Sequence, residues 1–369
     1  MAEPLIAQYG SDIPEKIAVT IEAVCAAFNT KAFVEDTLAG YTELNLMQRG
    51  THIARALKNH LPGDYPEALK ILLASLKVGQ PRSTGSLASF FYLPHTCFVR
   101  DFGLEHFDIS MKAQHRLTQC FAAEFSIRPF LDRYPQESLA RLEQWAQDKS
   151  EHVRRLVSEG TRPRLPWAPR LKSFGKDPQQ IIHLLEWLKD DESPYVRRSV
   201  ANHLNDIGKT HPALLINVAN RWLKDATPQR KQLVLHALRT AIKRGDKGVF
   251  ELVGYGHKPA IHAEFVSCIP SKPRIGECVN FELRIASTSN QPQRLMIDME
   301  IGYVKANGQC KSKIFKFKTL ELQPKETVAF TKKLSFAQMA TRKHYPGQHT
   351  LGLLINGQAY ALGTFNVSK

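Results

Sequence analysis

Two carboxylates and a tryptophan stand out in a sequence that is otherwise strongly basic. Glu159 ends the stretch Val153-Arg-Arg-Leu-Val-Ser-Glu159, and Asp206 ends Val196-Arg-Arg-Ser-Val-Ala-Asn-His-Leu-Asn-Asp206. The two stretches align with a shift of 43 residues, which puts Glu159 in the phase of Asn202. Asp206 follows Asn202 by four residues, one turn along the same helical face. Carboxylates on the partner-facing side of a basic protein oppose phosphate binding, so they are either salt-bridged to nearby arginines or kept for chemistry. That chemistry would be stabilisation of a transient cation and the aiming of a water molecule. Trp167 lies in Thr161-Arg-Pro-Arg-Leu-Pro-Trp-Ala-Pro-Arg170, whose prolines forbid a regular helix. An aromatic on a stiff, basic loop suits stacking on a base or sugar; the alternative is a loop tryptophan that caps the core. Phosphate loops, dinucleotide fingerprints, zinc spacings and nucleophile elbows are absent. Any reaction must then be run by carboxylates, arginine, tryptophan and water.

The elements that position these residues are helices. Before about residue 260, apolar residues recur at helical spacing, as in Ile17, Ile21, Val24, Cys25 and Phe28. Asp148–Ser158 aligns with Asp191–Ala201, and a weaker third copy begins at Asp225. Each copy follows a Trp-x-x-Asp element, Trp145 with Asp148, Trp187 with Asp190 and Trp222 with Asp225. A period near 40 residues carrying Asp, a turn and Val-Arg marks HEAT-like paired helices, which stack to present a concave surface. The three in-phase tryptophans are expected to pack between helices. Arg154 and Arg197 are expected to pair with acidic residues of a neighbouring repeat, which leaves Arg155 and Arg198 for phosphates. After residue 260, short β-rich runs alternate (Phe281–Ile285, Met296–Tyr303, Ile314–Phe317, Leu351–Ile355), punctuated by Asn307-Gly308 and Asn356-Gly357. The fold expected is an all-α HEAT-like helical repeat solenoid over 1–258, followed by an all-β immunoglobulin-like sandwich over 259–369.

Fifty Lys and Arg against 35 Asp and Glu give a net charge of +15, which favours a polyanionic partner, nucleic acid before an anionic membrane. The excess is denser after residue 260, where 15 basic residues face 7 acidic ones. Lys311, Lys313, Lys316 and Lys318 share one strand, where they either solvate a sheet edge or close on DNA as a clamp. The six cysteines form no C-x-x-C pair, and neither a secretory signal nor a membrane-length apolar run is visible. A reduced, cytoplasmic protein with no cofactor and no membrane partner is expected.

Several stretches of unusual composition resemble the bacterial AlkC-type DNA alkylation repair glycosylases, within the AlkC/AlkD HEAT-like repeat superfamily. They include Ala123–Leu131, Val153–Trp167 and Val196–Asp206, with shorter ones at Thr51–Leu57, Asp64–Pro66 and Phe107–Met111. The C-terminal sandwich is similar to that of one AlkC subgroup. The resemblance implies hydrolysis of the N-glycosidic bond of cationic alkylated bases, chiefly 3-methyladenine and 3-methylcytosine, in duplex DNA. It also implies a catalytic set of Glu124, Glu159 and Asp206 with Trp167 beside them, acting on kinked DNA. Arg155, Arg162, Arg164, Arg170, Arg198, Lys311 and Lys313 are the expected DNA contacts of a monomer. A non-enzymatic HEAT adaptor for nucleic acid or protein is the alternative.

Overall fold

The computed structural model describes residues 5–78, 88–171, 174, 177–339 and 342–369. Among these the chain forms first helices and then strands. The helices are α1 (Asp12–Glu22), α2 (Thr30–Leu38), α3 (Leu46–His60), α4 (Tyr65–Ser75), α5 (Leu93–Phe102), α6 (Phe107–Leu117) and α7 (Arg128–Arg133). They continue with α8 (Pro135–Trp145), α9 (Glu151–Gly160), α10 (Gln179–Leu188), α11 (Pro194–Ile207), α12 (Pro212–Leu223), α13 (Pro228–Arg244) and α14 (Lys247–Leu252). No helix among the described residues is long and apolar enough to cross a membrane. The chain divides into two compact units, Met1–Ile207 with Thr227–Ala237, and Gly208–Ala226 with Leu238–Lys369.

The internal repeat has a physical basis in the turns that open α9 and α11. Asp148 Oδ1 accepts a hydrogen bond from the Ser150 amide at 2.8 Å, and Asp191 Oδ1 accepts from the Ser193 amide at 2.8 Å. These Asx turns open both helices, and at α11 the Ser193 hydroxyl also caps the first turn, accepting from the Tyr195 amide at 3.2 Å. Arg154 then reaches back to the Asp148 and Lys149 carbonyls at 2.9 and 3.1 Å. Arg197 does the same to the Asp191 and Glu192 carbonyls at 2.5 and 2.8 Å. Arg154 also reaches forward to the next repeat, donating from Nε and Nη2 to the Asp191 carboxylate at 2.6 and 2.9 Å. The expected pairing across repeats is therefore present for Arg154, while Arg197 holds its own turn.

Trp145 and Trp222 are buried as expected, but Trp187 is 54% exposed. The reason is register. The turn aspartate equivalent to Asp148 is Asp191, so the slot of Trp145 falls on Leu188, which is fully buried. Helix α10 buries Ile181, Leu184, Leu185 and Leu188, spaced i, i+3, i+4, i+7, and Trp187 lies off that stripe.

The strands are β1 (Ile261–Ile269), β2 (Cys278–Ser287), β3 (Gln293–Val304), β4 (Cys310–Leu322), β5 (Thr327–Ser335), β6 (Gly347–Ile355) and β7 (Gln358–Val367). They form antiparallel sheets in the orders β1-β2-β5 and β4-β3-β6-β7. Period-two burial supplies one core: Val279, Phe281, Leu283 and Ile285 from β2 meet Leu295, Ile297, Met299 and Ile301 from β3 and Leu351, Leu353 and Ile355 from β6. Asn356 and Gly357, both with positive φ, close the β6–β7 hairpin in two residues. The Asn356 side chain accepts from the Met296 amide at 2.8 Å and donates to the Arg294 carbonyl at 3.0 Å, which ties that turn to β3.

Candidate active site

Glu159 is the penultimate residue of α9 and Asp206 the penultimate residue of α11, and these helices are packed neighbours. A carboxylate in the last turn faces the negative end of its helix dipole, so neither position favours helix stability. Glu124 comes from the turn that precedes α7. Two guanidinium groups join all three into one chain. Arg155 Nη1 donates to Glu124 Oε2 at 2.6 Å, and its Nη2 lies 3.7 Å from Glu159 Oε1. Arg162 Nη1 donates to Glu159 Oε1 at 2.6 Å, and its Nε and Nη2 approach Asp206 Oδ2 at 2.9 and 2.8 Å. The side chains in this chain are 1–16% exposed. These three carboxylates and two guanidinium groups are buried together in a protein of net charge +15, and the buried Arg128 guanidinium also acts on Glu124 and Arg162.

The electrostatics of the set follow from burial and from these pairings. Burial raises the pKa of Glu124, and the charge of Glu159 raises it further, while Arg155 pulls it down. Burial also works against charge on Arg155 and Arg162, but Glu124 and Glu159 around the first, and Glu159 and Asp206 around the second, keep both guanidinium groups firmly protonated. Arginines fill the gaps between the carboxylates, so the set does not have the form of a metal cage, and no group of metal-ligating side chains occurs among the described residues.

Three residues complete the geometry without having been singled out from sequence. Ser199 donates to Glu159 Oε2 at 2.6 Å and lies 3.0 Å from Ser158 Oγ. His203 is fully buried, and its Nδ1 donates to the Ser158 carbonyl at 2.9 Å. Burial lowers its pKa to about 4, so it is neutral. Tyr195 lies under Arg155, with the guanidinium carbon 4.8 Å from the ring centroid. A signal for Ser199 existed: at the 43-residue shift it replaces Leu156, a polar side chain in a core position.

Trp167 sits in the loop after α9 with φ of +64°, in the left-handed region where a bulky residue is strained, and it is 73% exposed. It does not cap the core. The loop around it is anchored by buried Leu165 and Leu171.

Comparison with known proteins places this arrangement. Residues 119–244 match the family described as DNA alkylation repair enzyme, and residues 263–369 match the family described as the C-terminal Ig-like domain of the uncharacterised protein YhaZ. The chain is 38% identical over 351 residues, covering 95% of each chain, to the uncharacterised protein YhaZ of Bacillus subtilis strain 168. It superposes with a TM-score of 0.89, at 36% identity and over 98% of each chain, on the Pseudomonas fluorescens alkylpurine DNA glycosylase AlkC bound to DNA containing an abasic site analog. The chain belongs to the AlkC family of DNA alkylation repair proteins.

The AlkC-type residues expected to touch DNA separate into two groups. Arg155 and Arg162 have their donors engaged by buried carboxylates, the pairing with arginines that the sequence left open beside a role in chemistry. Arg164 is half-buried, and Arg170 and Arg198 are exposed. Arg198 lines a cleft of ≈ 140 Å³ with Arg197, Gln229, Gln232 and His236. In the Ig-like sandwich, Lys311 and Lys313 lie on the edge strand β4 and line a cleft of ≈ 710 Å³ with Lys305, Arg342, Lys343 and Tyr303. Burial and the charge of Arg342 lower the pKa of Lys313. None of these five cations has a carboxylate within ion-pair distance among the described residues.

Proposed function

We propose that this protein is a DNA glycosylase of base excision repair that hydrolyses the N-glycosidic bond of cationic alkylated bases, 3-methyladenine and 3-methylcytosine, in duplex DNA. The observation that carries this reading is the buried chain of three carboxylates joined by Arg155 and Arg162, followed in sequence by a loop with an exposed, strained tryptophan, in a protein that aligns over 98% of its length with an AlkC.

An N3-alkylated base carries a formal positive charge, so it leaves without being protonated. The bond's electron pair departs with the base, which becomes neutral, and the deoxyribose becomes oxocarbenium-like. Glu159 and Asp206 stabilise that transient cation, as carboxylates do in glycoside hydrolysis. Water then adds to the anomeric carbon and gives its proton to a carboxylate. Glu124, a buried carboxylate held by Arg155, orients the lesion or assists that water. Trp167 meets the deoxyribose or the cationic base with its π-face. Arg155 and Arg162 hold the three carboxylates apart and in register. Arg164, Arg170 and Arg198 contact phosphates, and so do Lys311 and Lys313 of the sandwich. Residues 1–258 carry the chemistry and 259–369 the second grip on DNA. The protein works as a monomer without a cofactor, in the bacterial cytoplasm, at the nucleoid.

The test is release of base from methylated duplex DNA, scored with the abasic sites left behind. Cationic lesions should be excised and neutral alkylpurines spared. Equal rates on both would overturn the electrostatic reading, and absence of any release would turn the reading towards a non-enzymatic DNA-binding adaptor.

A further inference from the structure

The loop that carries Trp167 holds its aromatic in an unfavourable backbone conformation with most of the ring in solvent, so something outside the ring must fix it. Arg128, the first residue of α7, is 5% exposed and spends its guanidinium on that loop. Its Nη1 donates to the Gly160 and Arg162 carbonyls at 3.1 and 2.9 Å, and its Nη2 donates to the Pro169 carbonyl at 2.6 Å. The three acceptors flank Trp167 on both sides in sequence, and all are main chain, so the grip does not depend on which side chains the loop carries. Gly160 makes the approach feasible, because a Cβ there would meet Ile127 Cγ2 at 2.8 Å and push the end of α9 away from the start of α7. Only a planar fork with several fixed donors spans such a set; a lysine ammonium is a point charge that cannot reach both ends at once.

We propose that Arg128 is a positioning residue of the glycosylase site, which holds the Trp167 loop in register with Glu124, Glu159 and Asp206 by its hydrogen-bond geometry and not by its charge. The inference rests on Trp167 being the aromatic that meets the lesion nucleotide.

Full-length Arg128→Lys, Arg128→Met, Trp167→Ala and the Arg128→Lys/Trp167→Ala double variant test it. Three quantities are compared: amide hydrogen exchange over residues 160–170, single-turnover base release at saturating protein, and affinity for methylated duplex. Arg128→Lys should speed exchange in 160–170 while leaving α11 and the Ig-like sandwich protected. It should slow base release by about 100-fold, the scale set by a misplacement near 1 Å, with affinity changed only a few-fold. In the Trp167→Ala background the same substitution should cost almost nothing more. Arg128→Lys matching wild type while Arg128→Met fails would overturn the proposal and assign the role to charge. Fully additive losses in the double variant would also overturn it, because Arg128 would then act independently of Trp167. If the lysine variant does not accumulate as folded protein, Gly160→Ala keeps both residues and breaks the same approach. It should give faster loop exchange and slower release, and wild-type behaviour there counts against the clamp. A wild-type protein that releases no base would sink the catalytic reading, whereas the exchange measurement decides the loop separately.

Discussion

Arg154 and Arg155 are adjacent in sequence and both end against carboxylates, yet they belong to different devices. Arg154 closes a repeated unit: an Asx turn, two turn carbonyls and the Asp191 and Glu192 carboxylates of the following repeat. Its turn contacts recur 43 residues later in Arg197. Arg155 enters a chain that the next repeat does not copy, since Asn202 stands there in the phase of Glu159, and two of its carboxylates lie at the disfavoured ends of helices. Charge that recurs with the repeat is architecture. Buried charge that departs from the repeat costs stability, and a folded protein retains it where it serves function. In a repeat protein this contrast separates scaffold from site without a ligand in view.

The contrast is broken most directly by exchanging one charged residue of each kind of device for a neutral one. Asp206→Asn should lower single-turnover base release by about 100- to 1,000-fold, the scale of losing one preorganised charge-stabilising group. DNA affinity should hold or rise, since a negative charge near phosphates is gone. Retained activity would return Asp206 to architecture. Arg154→Met should do the reverse, leaving the buried Asp191 carboxylate without its guanidinium and costing about 3 kcal/mol in urea unfolding. Activity per folded molecule should be unchanged. A variant that unfolds normally but loses catalysis would erase the distinction between the two arginines.

How legible each device was in the sequence follows from the same difference. The repeated one announced itself through Asp148, Asp191 and the paired Val-Arg stretches, because a structural motif needed twice is written twice. It was misread at Arg197, which holds its own turn instead of pairing across repeats, and at Trp187. A Trp-x-x-Asp spacing to Asp190 matched the other copies by letter, but the turn is made by Asp191, and the core slot went to Leu188. In the sandwich, the runs around Phe281, Met296, Ile314 and Leu351 were visible because their sheets bury alternate residues in one core. Strands β1, β5 and β7 were not singled out, being more exposed; β5 alternates in burial, but Lys332 takes one of its inward positions and breaks the apolar pattern in sequence. At the site, Glu159, Asp206 and Trp167 emerged as departures from the repeat. Glu124 came only through family resemblance, since it lies in a turn with no periodicity to depart from. Ser199 was legible only as a polar residue in the repeat phase of Leu156, while Arg128 and His203 act through hydrogen bonds to main chain of distant segments, which no spacing rule encodes.

Glu124 offers a subtler test, in pH rather than in rate. Burial raises its pKa above the ordinary value of 4.5, with Arg155 opposing the shift. The folded state therefore holds the Glu124 proton more tightly than the unfolded state does. Its contribution to stability is fully present below the ordinary value and is lost as pH rises through the raised one. Glu124→Gln should remove that slope, so wild type should gain on the variant as pH falls through this window. Unfolding curves across that range decide it. A difference that is flat with pH would mean that Arg155 offsets burial completely.

The smallest effect belongs to the lysines of β4, and it asks whether the comparison extends to exposed charge. Lys311 and Lys313 lie on an edge strand, where lysines also serve to block pairing with another chain. But an edge needs only polarity at its open side, and these two share a cleft with Lys305, Arg342 and Lys343, a crowding of like charges that edge protection does not require. If the cluster grips phosphates, Lys311→Gln and Lys313→Gln should each reduce the slope of log affinity against log salt by about 0.9. Base release at saturating protein should stay unchanged, because the chemistry lies elsewhere. An unaltered slope, with the variants self-associating at concentrations where wild type does not, would make these lysines architecture after all.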